Sequence, residues 1–506
     1  MKYFSTIVLA IILIVSFSCR KDFTTIENYG NLSFSKDTVY LDTVFTNIGS
    51  STYNLKVYNN SSNAITIPEI SLENGLNSNY RLNIDGIPGK YFEDIEILAN
   101  DSIFVFVETT IDYDAVTDPL YTDKILFDNG NNQQDVDLVT LVQDANFIYP
   151  DRDVITLEID SLTLDGIDSK IFGRYLGTDE LTFTNEKPYV IYGYAAVPKE
   201  ETLTIDAGAQ IYFHSNSGLI IDTDASLKVN GTLEEKVVFE GDRLEHYFHD
   251  VAGQWGTIWM RKGSKENEIN HAEIKNAAIG IIIDSIGSST APTLKIQNSK
   301  VYNHSAYSIL GRETHIEASN VVVGSAGESS FAGIIGGTYD FIHCTFANYW
   351  TRSIRSLPAV LINNFFEYTD NTGQDIVETR NLNAANFVNC IFEGNGNVEL
   401  LFDEVESGDI FNFNVNNCLI RYNDINEDYV DNTNMNFDND THYQNNILNG
   451  TPDFKDTTTD EYSIGENSDA INNGVLTTIT TDIIGTLRTP TIDIGAYQHT
   501  SFDEEE

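Results

Sequence analysis

The chain has 506 residues, with 76 Asp and Glu against 29 Lys and Arg, a formal net charge of -47. A field of that sign repels nucleic acid phosphates and excludes nucleic acid as a partner; it attracts divalent cations or keeps an exposed protein in solution. With 28 Phe and 26 Tyr but 3 Met, and no long apolar runs at helical spacing past the N-terminus, the composition excludes a helical bundle. It points to an all-β chain long enough for two or more domains.

Met1-Lys2 precedes an apolar run from Ile7 to Val15, then Ser16-Phe17-Ser18-Cys19 and Arg20-Lys21-Asp22. The run is too short to cross a bilayer core of about 30 Å as a helix and has the shape of a secretory signal. A small residue directly before a cysteine here resembles the lipobox of bacterial lipoproteins. The resemblance implies cleavage before Cys19 and lipid on Cys19, with several acyl chains making the anchor stable. An ordinary signal peptide with an incidental cysteine is the other reading. The expectation is a signal peptide over 1–18, a tether over 19–30, a membrane partner through the lipid anchor, and a place in the bacterial cell envelope, at the outer membrane or cell surface.

From 31 to 143 the pattern is period two with turn clusters between. Leu55-Lys56-Val57-Tyr58 alternates, Asn59 to Asn63 turns, and Ala64-Ile65-Thr66-Ile67 alternates again. Ile95 to Leu98, Ile103 to Val107, Ile125 to Phe127 and Val136 to Val142 continue the set. About seven short strands in this length predict an immunoglobulin-like β-sandwich. The phrase Leu55 to Ile67 resembles bacterial Ig-like modules related to the ASH domain, which implies a spacing or docking role. Residues 144–187 read as a linker packing on both neighbours.

Short strands with Gly, Asn and Asp corners fill 188–450, as in Leu203 to Phe213 and Ala225 to Thr232. Within this stretch one phrase recurs: hydrophobic, spacer, Asn or a stand-in, small residue, spacer, hydrophobic. Its third position falls at Asn276, Asn298, Ala318, His343, Asn363, Asn389 and Asn417. A repeat at 20 to 28 residues predicts stacked coils, a solenoid in which each strand pairs with its counterpart one coil on. Asn suits such a bend because it tolerates the left-handed conformation, and its amide can bond to the next coil. Ala318 is expected to break the ladder and His343 to be a member of it. Cys344, Cys390 and Cys418 share the fourth position and are expected to stack inside, reduced. The Asn363 phrase would hold Cys344 and Cys390 about 10 Å apart, leaving Cys390 and Cys418 as neighbours.

The phrases from Thr202 to Asp242, with Gly253-Gln254-Trp255-Gly256-Thr257-Ile258 and Asn276 to Ile281, resemble right-handed parallel β-helix proteins of the pectin-lyase-like superfamily, above all its lipid-anchored bacterial members. The resemblance covers about 187 to 499 and implies the fold, not one activity. Asp482-Ile483-Ile484-Gly485 and Asp493-Ile494-Gly495-Ala496-Tyr497 resemble the closing segment of such proteins. That implies a C-terminal cap over 451–499, in which Arg488 and Asp493 pair, and an acidic tail over 500–506.

Enzymes of that superfamily need a base beside a neutralised uronate, or paired carboxylates. Trp350-Thr351-Arg352-Ser353-Ile354-Arg355 places an aromatic ring and two cations together in an acidic chain. As a strand, 352–356 would send Arg352 and Arg355 to opposite faces. Leu400 to Glu406 offers carboxylates, Asp403 first among them. Trp350, Arg352, Arg355 and Asp403 are the candidate ligand-binding residues; no catalytic residue is assigned. His246 to Asp250 and Asn436 to Thr441 read as a packed loop and an Asn/Asp turn. No metal site and no cofactor is required, calcium being the ion left open. The leading expectation is a non-catalytic envelope scaffold that binds a glycan or a surface protein. The alternative is a polysaccharide lyase or glycoside hydrolase acting on an acidic polysaccharide.

Overall fold

A computed structural model describes residues 24–287 and 290–502. The signal peptide, Cys19, the start of the tether and Asp503 to Glu506 lie outside the described residues. Among the described residues there is no α-helix, and no helix long and apolar enough to cross a membrane. The chain divides into two units, Met1–Asp144 and Ala145–Glu506.

The first unit is two sheets around one core. A six-stranded sheet runs Ile26–Glu27, Ile65–Leu72, Leu120–Phe127, Gln134–Gln143, Thr38–Phe45, with Tyr91–Ile97 also on Ile65–Leu72. A five-stranded sheet runs Ser33–Phe34, Tyr53–Asn59, Asp101–Thr109, Tyr80–Ile84, Ile87–Gly89. Period-two alternation drives the packing: Leu55, Val57, Val105 and Val107 from one sheet meet Ile67, Ile125, Val136 and Leu138 from the other. Most pairings are antiparallel, but Thr38–Phe45 joins Gln134–Gln143 in parallel.

The second unit is built on two long sheets. The chain returns to an eleven-stranded sheet again and again in sequence order, always in parallel register: Asn146–Ile148, Tyr189–Ile191, Gln210–Phe213, Val237–Gly241, Ala272–Lys275, Lys300–Tyr302, Val322–Val323, Thr345–Asn348, Ile391–Gly394, Leu419–Ile420, Ile447–Leu448. Between visits it contributes to an eighteen-stranded, mainly parallel sheet. Matched rungs fill the interior: Phe239, Ile274, Val301, Val323, Phe346, Phe392 and Ile420 oppose one another in order and are fully buried. Parallel strands buried this way carry apolar residues at the same register on every rung. The stretch 144–187, expected as a linker, supplies strands of this unit. Asn146–Ile148, Ile167–Tyr175 and Thr182–Phe183 pair in parallel with Tyr189–Ile191, Tyr194–Val197 and Thr202–Asp206.

The corner before each of the last seven visits to the eleven-stranded sheet takes a left-handed φ. It falls at His271, Asn298, Asn320, His343, Asn389, Asn417 and Asn445, with φ between 47° and 55°. This re-phases the repeat in three places. Asn276 belongs to the opposite end of its strand, where Asn303 Nδ2 donates to Asn276 Oδ1 at 2.6 Å. Ala318 does not break the ladder, because Asn320 two residues on holds the corner and its Nδ2 donates to Asn298 Oδ1 at 3.0 Å. Asn363 is no corner: the chain leaves after Asn364 into the antiparallel hairpin Phe365–Thr369 with Asp375–Thr379 and returns through Leu382–Val388. Val360–Asn363 and Leu382–Val388 both pair with Phe331–Ile342, so the two stretches are one coil. Thr345 therefore opposes Ile391 directly, and Cys344 stands next to Cys390, not two steps away. Cys344, Cys390 and Cys418 are free and buried; burial raises the Cys344 and Cys390 thiols well above their usual value.

The closing segment lies along the flank of the stack. Val475 N donates to Asn389 Oδ1, Asn417 Nδ2 to Asn473 O, and Ala496 N to Thr345 Oγ1, at 2.8, 2.7 and 3.0 Å. Ile464, Ala470 and Ile494 cover Ile391 and Leu419; Ile483, Ala496 and Tyr497 cover Val322 and Ala347. The strand Leu400–Asp403 is met instead by the turn Thr433–Met435: Phe402 N lies 3.4 Å from Met435 Sδ, and Asn432 Nδ2 donates to Phe402 O at 2.8 Å. Arg488 and Asp493 do not pair by side chain. Arg488 is buried and spends its guanidinium on the carbonyls of Thr481, Gly495 and Ala496 and on Asn320 Oδ1, while the Asp493 carboxylate takes His499 Nδ1 at 2.7 Å.

Candidate functional site

Residues 349–359 form an irregular arc between Thr345–Asn348 and Val360–Asn363. The expected strand at 352–356 is absent, so strand alternation does not govern its arginines. Buried Asn348 opens the arc by accepting from Trp350 N at 3.3 Å and, on the rung below, from Ala326 N at 3.2 Å. Trp350 is 7% exposed. Its Nε1 donates to Ser353 Oγ at 2.7 Å and its carbonyl accepts from Asn395 Nδ2 at 2.7 Å.

The arc separates the two cations. Arg352 is exposed, lies 5.6 Å over the Trp350 ring and donates to Asp250 O. Arg355 points inward, its side chain 5% exposed against 0% for Glu399. The pair is bidentate at 2.8 and 2.5 Å. Arg355 also donates to Leu357 O and Asn395 Oδ1, at 2.8 and 2.9 Å. Glu399 accepts further from Ala359 N and Gly396 N, at 2.7 and 2.6 Å. A buried bidentate pair with these further bonds holds its loop, and among the guanidinium nitrogens only Arg355 Nε lacks a partner.

Trp350 stands between two clefts. One, of about 380 Å³, is lined by Arg355, Asn397, Asn423, Asp424 and Tyr429 beside Trp350. The other, of about 190 Å³, is lined by Asn303, Ser325, Arg352, Asn395 and Asp460 beside Trp350. Burial raises the Asp460 carboxyl above the usual carboxylate range, against hydrogen bonds from Tyr462 and Ser325 that lower it; Tyr462 OH donates to Asp460 at 2.5 Å. Asp403 lines neither cleft. It ends the strand Leu400–Asp403 opposite Asn363, and burial, then the Glu367 charge, raises its carboxyl. The structure thus brings Trp350, Arg352 and Arg355 together and leaves Asp403 out.

Two acids at this place were not singled out by sequence. Glu399 directly precedes the apolar run Leu400-Leu401-Phe402, and a charge at the threshold of a buried strand is a readable sign of a buried partner. Asp460 sits between Thr and Glu residues in a polar turn and carries no such sign. His249 packs on the early strands, its carbonyl accepting from Asn276 Nδ2 at 2.7 Å. Asn436 and Asn439 accept from the backbone two residues on, as Asx turns do. Among the described residues no three His, Cys, Asp or Glu side chains converge as a metal site would require.

No protein-family model and no curated protein matches the chain. Among solved structures it shows likeness to a family 123 glycoside hydrolase from Clostridium perfringens, described for glycolipid glycan hydrolysis, with 15% identity and a TM-score of 0.15 over 22% of this chain and 26% of that one. The chain thus spans about a quarter of that structure's length. At that score the likeness assigns neither fold nor activity.

Proposed function

We propose that the chain is a lipid-anchored protein of the bacterial cell envelope or surface, attached through Cys19, in which an Ig-like sandwich carries a right-handed parallel β-helix of the pectin-lyase-like kind. The repeat spacing and the parallel registers, rung on rung, support the β-helix. The lipobox-like Ser18-Cys19 and the apolar run before it support the anchor. On this reading the β-helix is a non-catalytic scaffold that binds a glycan along the Trp350 arc, with exposed Arg352, held over the buried Trp350 ring, meeting an acidic group. One observation carries the choice of scaffold over enzyme: Arg355, one of the two cations of the arc, is locked to fully buried Glu399. The outer membrane is the membrane partner, the glycan the soluble one, and no cofactor is assigned.

Asp460 favours a second reading, a lyase or hydrolase acting on an acidic polysaccharide. Its raised carboxyl faces the cleft that Arg352 lines, as a general acid would. The test is retention on polygalacturonate and alginate against neutral xylan, followed by turnover assays with and without calcium. The scaffold reading expects retention on the two acidic glycans weakened about tenfold in Arg352→Ala, with no product released. Turnover that Asp460→Asn abolishes would replace it with the enzyme; no retention on any glycan would sink both.

A further inference from the structure

The first strands of the second unit frame another cleft, of about 750 Å³, lined by Phe147, Tyr149, Phe172, Tyr192, Ser215 and Asn216. That volume lies within the span of small-molecule sites, roughly 300 to 1,000 Å³. Its walls are built by register. Ile148 opposes Ile191, and Ile191 opposes Phe213. The residues that follow, Tyr149, Tyr192 and His214, therefore fall on successive rungs about 4.8 Å apart. Their rings stack accordingly: Tyr149 to Tyr192 at 5.0 Å, Tyr192 to His214 at 4.3 Å, with Phe147 beside Tyr149 at 5.7 Å and 10°.

Both ends of the row are fixed. His214 Nδ1 lies 2.8 Å from Asp242 Oδ2. At the other end Tyr149 O accepts from Arg174 Nε at 3.0 Å, and Arg174 is held bidentate by Glu180 at 2.6 and 2.6 Å. Yet the outer rings are open, Tyr149 at 47% and Phe172 at 57% exposure. Rigid, exposed aromatic faces beside hydrogen-bonding side chains are a pre-organised surface for an amphipathic ring. A pyranose has that character: one face of C–H groups and a rim of hydroxyls. Asp151 and Arg152 at the mouth offset each other in charge, and the chain as a whole, at -47, opposes an anion.

We propose that this cleft binds a neutral oligosaccharide, with Tyr149 and Phe172 stacking on a pyranose ring and Ser215 and Asn216 hydrogen-bonding to its hydroxyls. The site shares no residue with the Trp350 clefts and stands whether or not they bind a glycan.

The test is calorimetric titration of the full chain, with saturation-transfer NMR, against four neutral probes: cellotetraose, xylotetraose, mannotetraose and chitotetraose. At least one is expected to bind, with Tyr149→Ala and Phe172→Ala each weakening it about tenfold and Trp350→Ala changing it less than about twofold. Should Tyr149→Ala fail to fold, Phe172→Ala and Asn216→Ala decide, since Phe172 is open to solvent. The proposal is overturned if none of the four binds. It is equally overturned if the Phe172 variant binds as the parent does, or if the loss follows Trp350 instead.

Discussion

At the scale of the residue, two buried histidines tie this molecule's stability to pH. His304 and His343 are fully buried, and burial holds both well below the usual imidazole value, at about 3. His304 Nδ1 accepts from Ala277 N at 3.0 Å, and His343 Nε2 faces Asn389 Nδ2 at 3.0 Å. Each bond needs an unprotonated nitrogen. Between about pH 6.5 and pH 3 the unfolded chain takes up protons at these sites and the folded chain does not, so stability falls as pH falls. The slope is about 1.4 kcal/mol per pH unit for each histidine. Asn already holds five of the seven corners in the His343 row. We therefore expect His343→Asn to fold and to lose less melting temperature than the parent between pH 7 and pH 4.5; parallel pH profiles for the two would refute the assignment. His343 as a ladder member was legible because the repeat phrase named its position. His304 was not, because it lies on the other corner of the coil, which the phrase does not describe.

At the scale of the element, the coil is more tolerant than its repeat suggests. The insertion 365–379 begins and ends at one place, where Arg380 N donates to Asn364 O at 2.9 Å. Phe366, Tyr368 and Val377 on its two strands are exposed. Loop length costs little when the ends are already close. Replacing 366–378 by a short Gly/Asn turn is expected to change unfolding free energy in denaturant by less than about 1 kcal/mol; a loss of several kcal/mol would mean the hairpin buttresses its neighbours. This insertion is also why the repeat phrase at Asn363 does not mark a corner. Leu361 to Phe366 carries the right residue types, and residue type cannot tell a corner from the root of a hairpin. Pairing partners decide that, and they lie a coil away in sequence. The candidate arc shows the same limit. Trp350, Arg352 and Arg355 stood out by type, but Glu399, some forty residues on, decides what Arg355 can do.

At the scale of the whole second unit, two segments cover two different surfaces, and their loss should fail in two different ways. The flank of the eleven-stranded sheet presents Val322, Ala347, Ile391 and Leu419 outward, and the closing segment buries them. Covering several large apolar side chains from both sides is worth on the order of 10 kcal/mol before ordering entropy. Leu400–Asp403 pairs with Val360–Asn363 on one side, and Thr433–Met435 meets its other edge. An exposed apolar flank collapses without direction, whereas an exposed edge recruits another strand in register. A chain ending at Gly450 keeps that edge covered and bares the flank. It is expected to bind a hydrophobic dye strongly, to melt well below the parent and to aggregate amorphously. Replacing 425–441 by a short linker keeps the flank and bares the Leu400–Asp403 edge, and is expected to give ordered, concentration-dependent self-association with little dye binding by the monomer. Light scattering and dye fluorescence on both variants separate the outcomes. If the chain ending at Gly450 melts with the parent and stays monomeric, the flank is not held by the closing segment, and the role expected of it at the end of the stack would return.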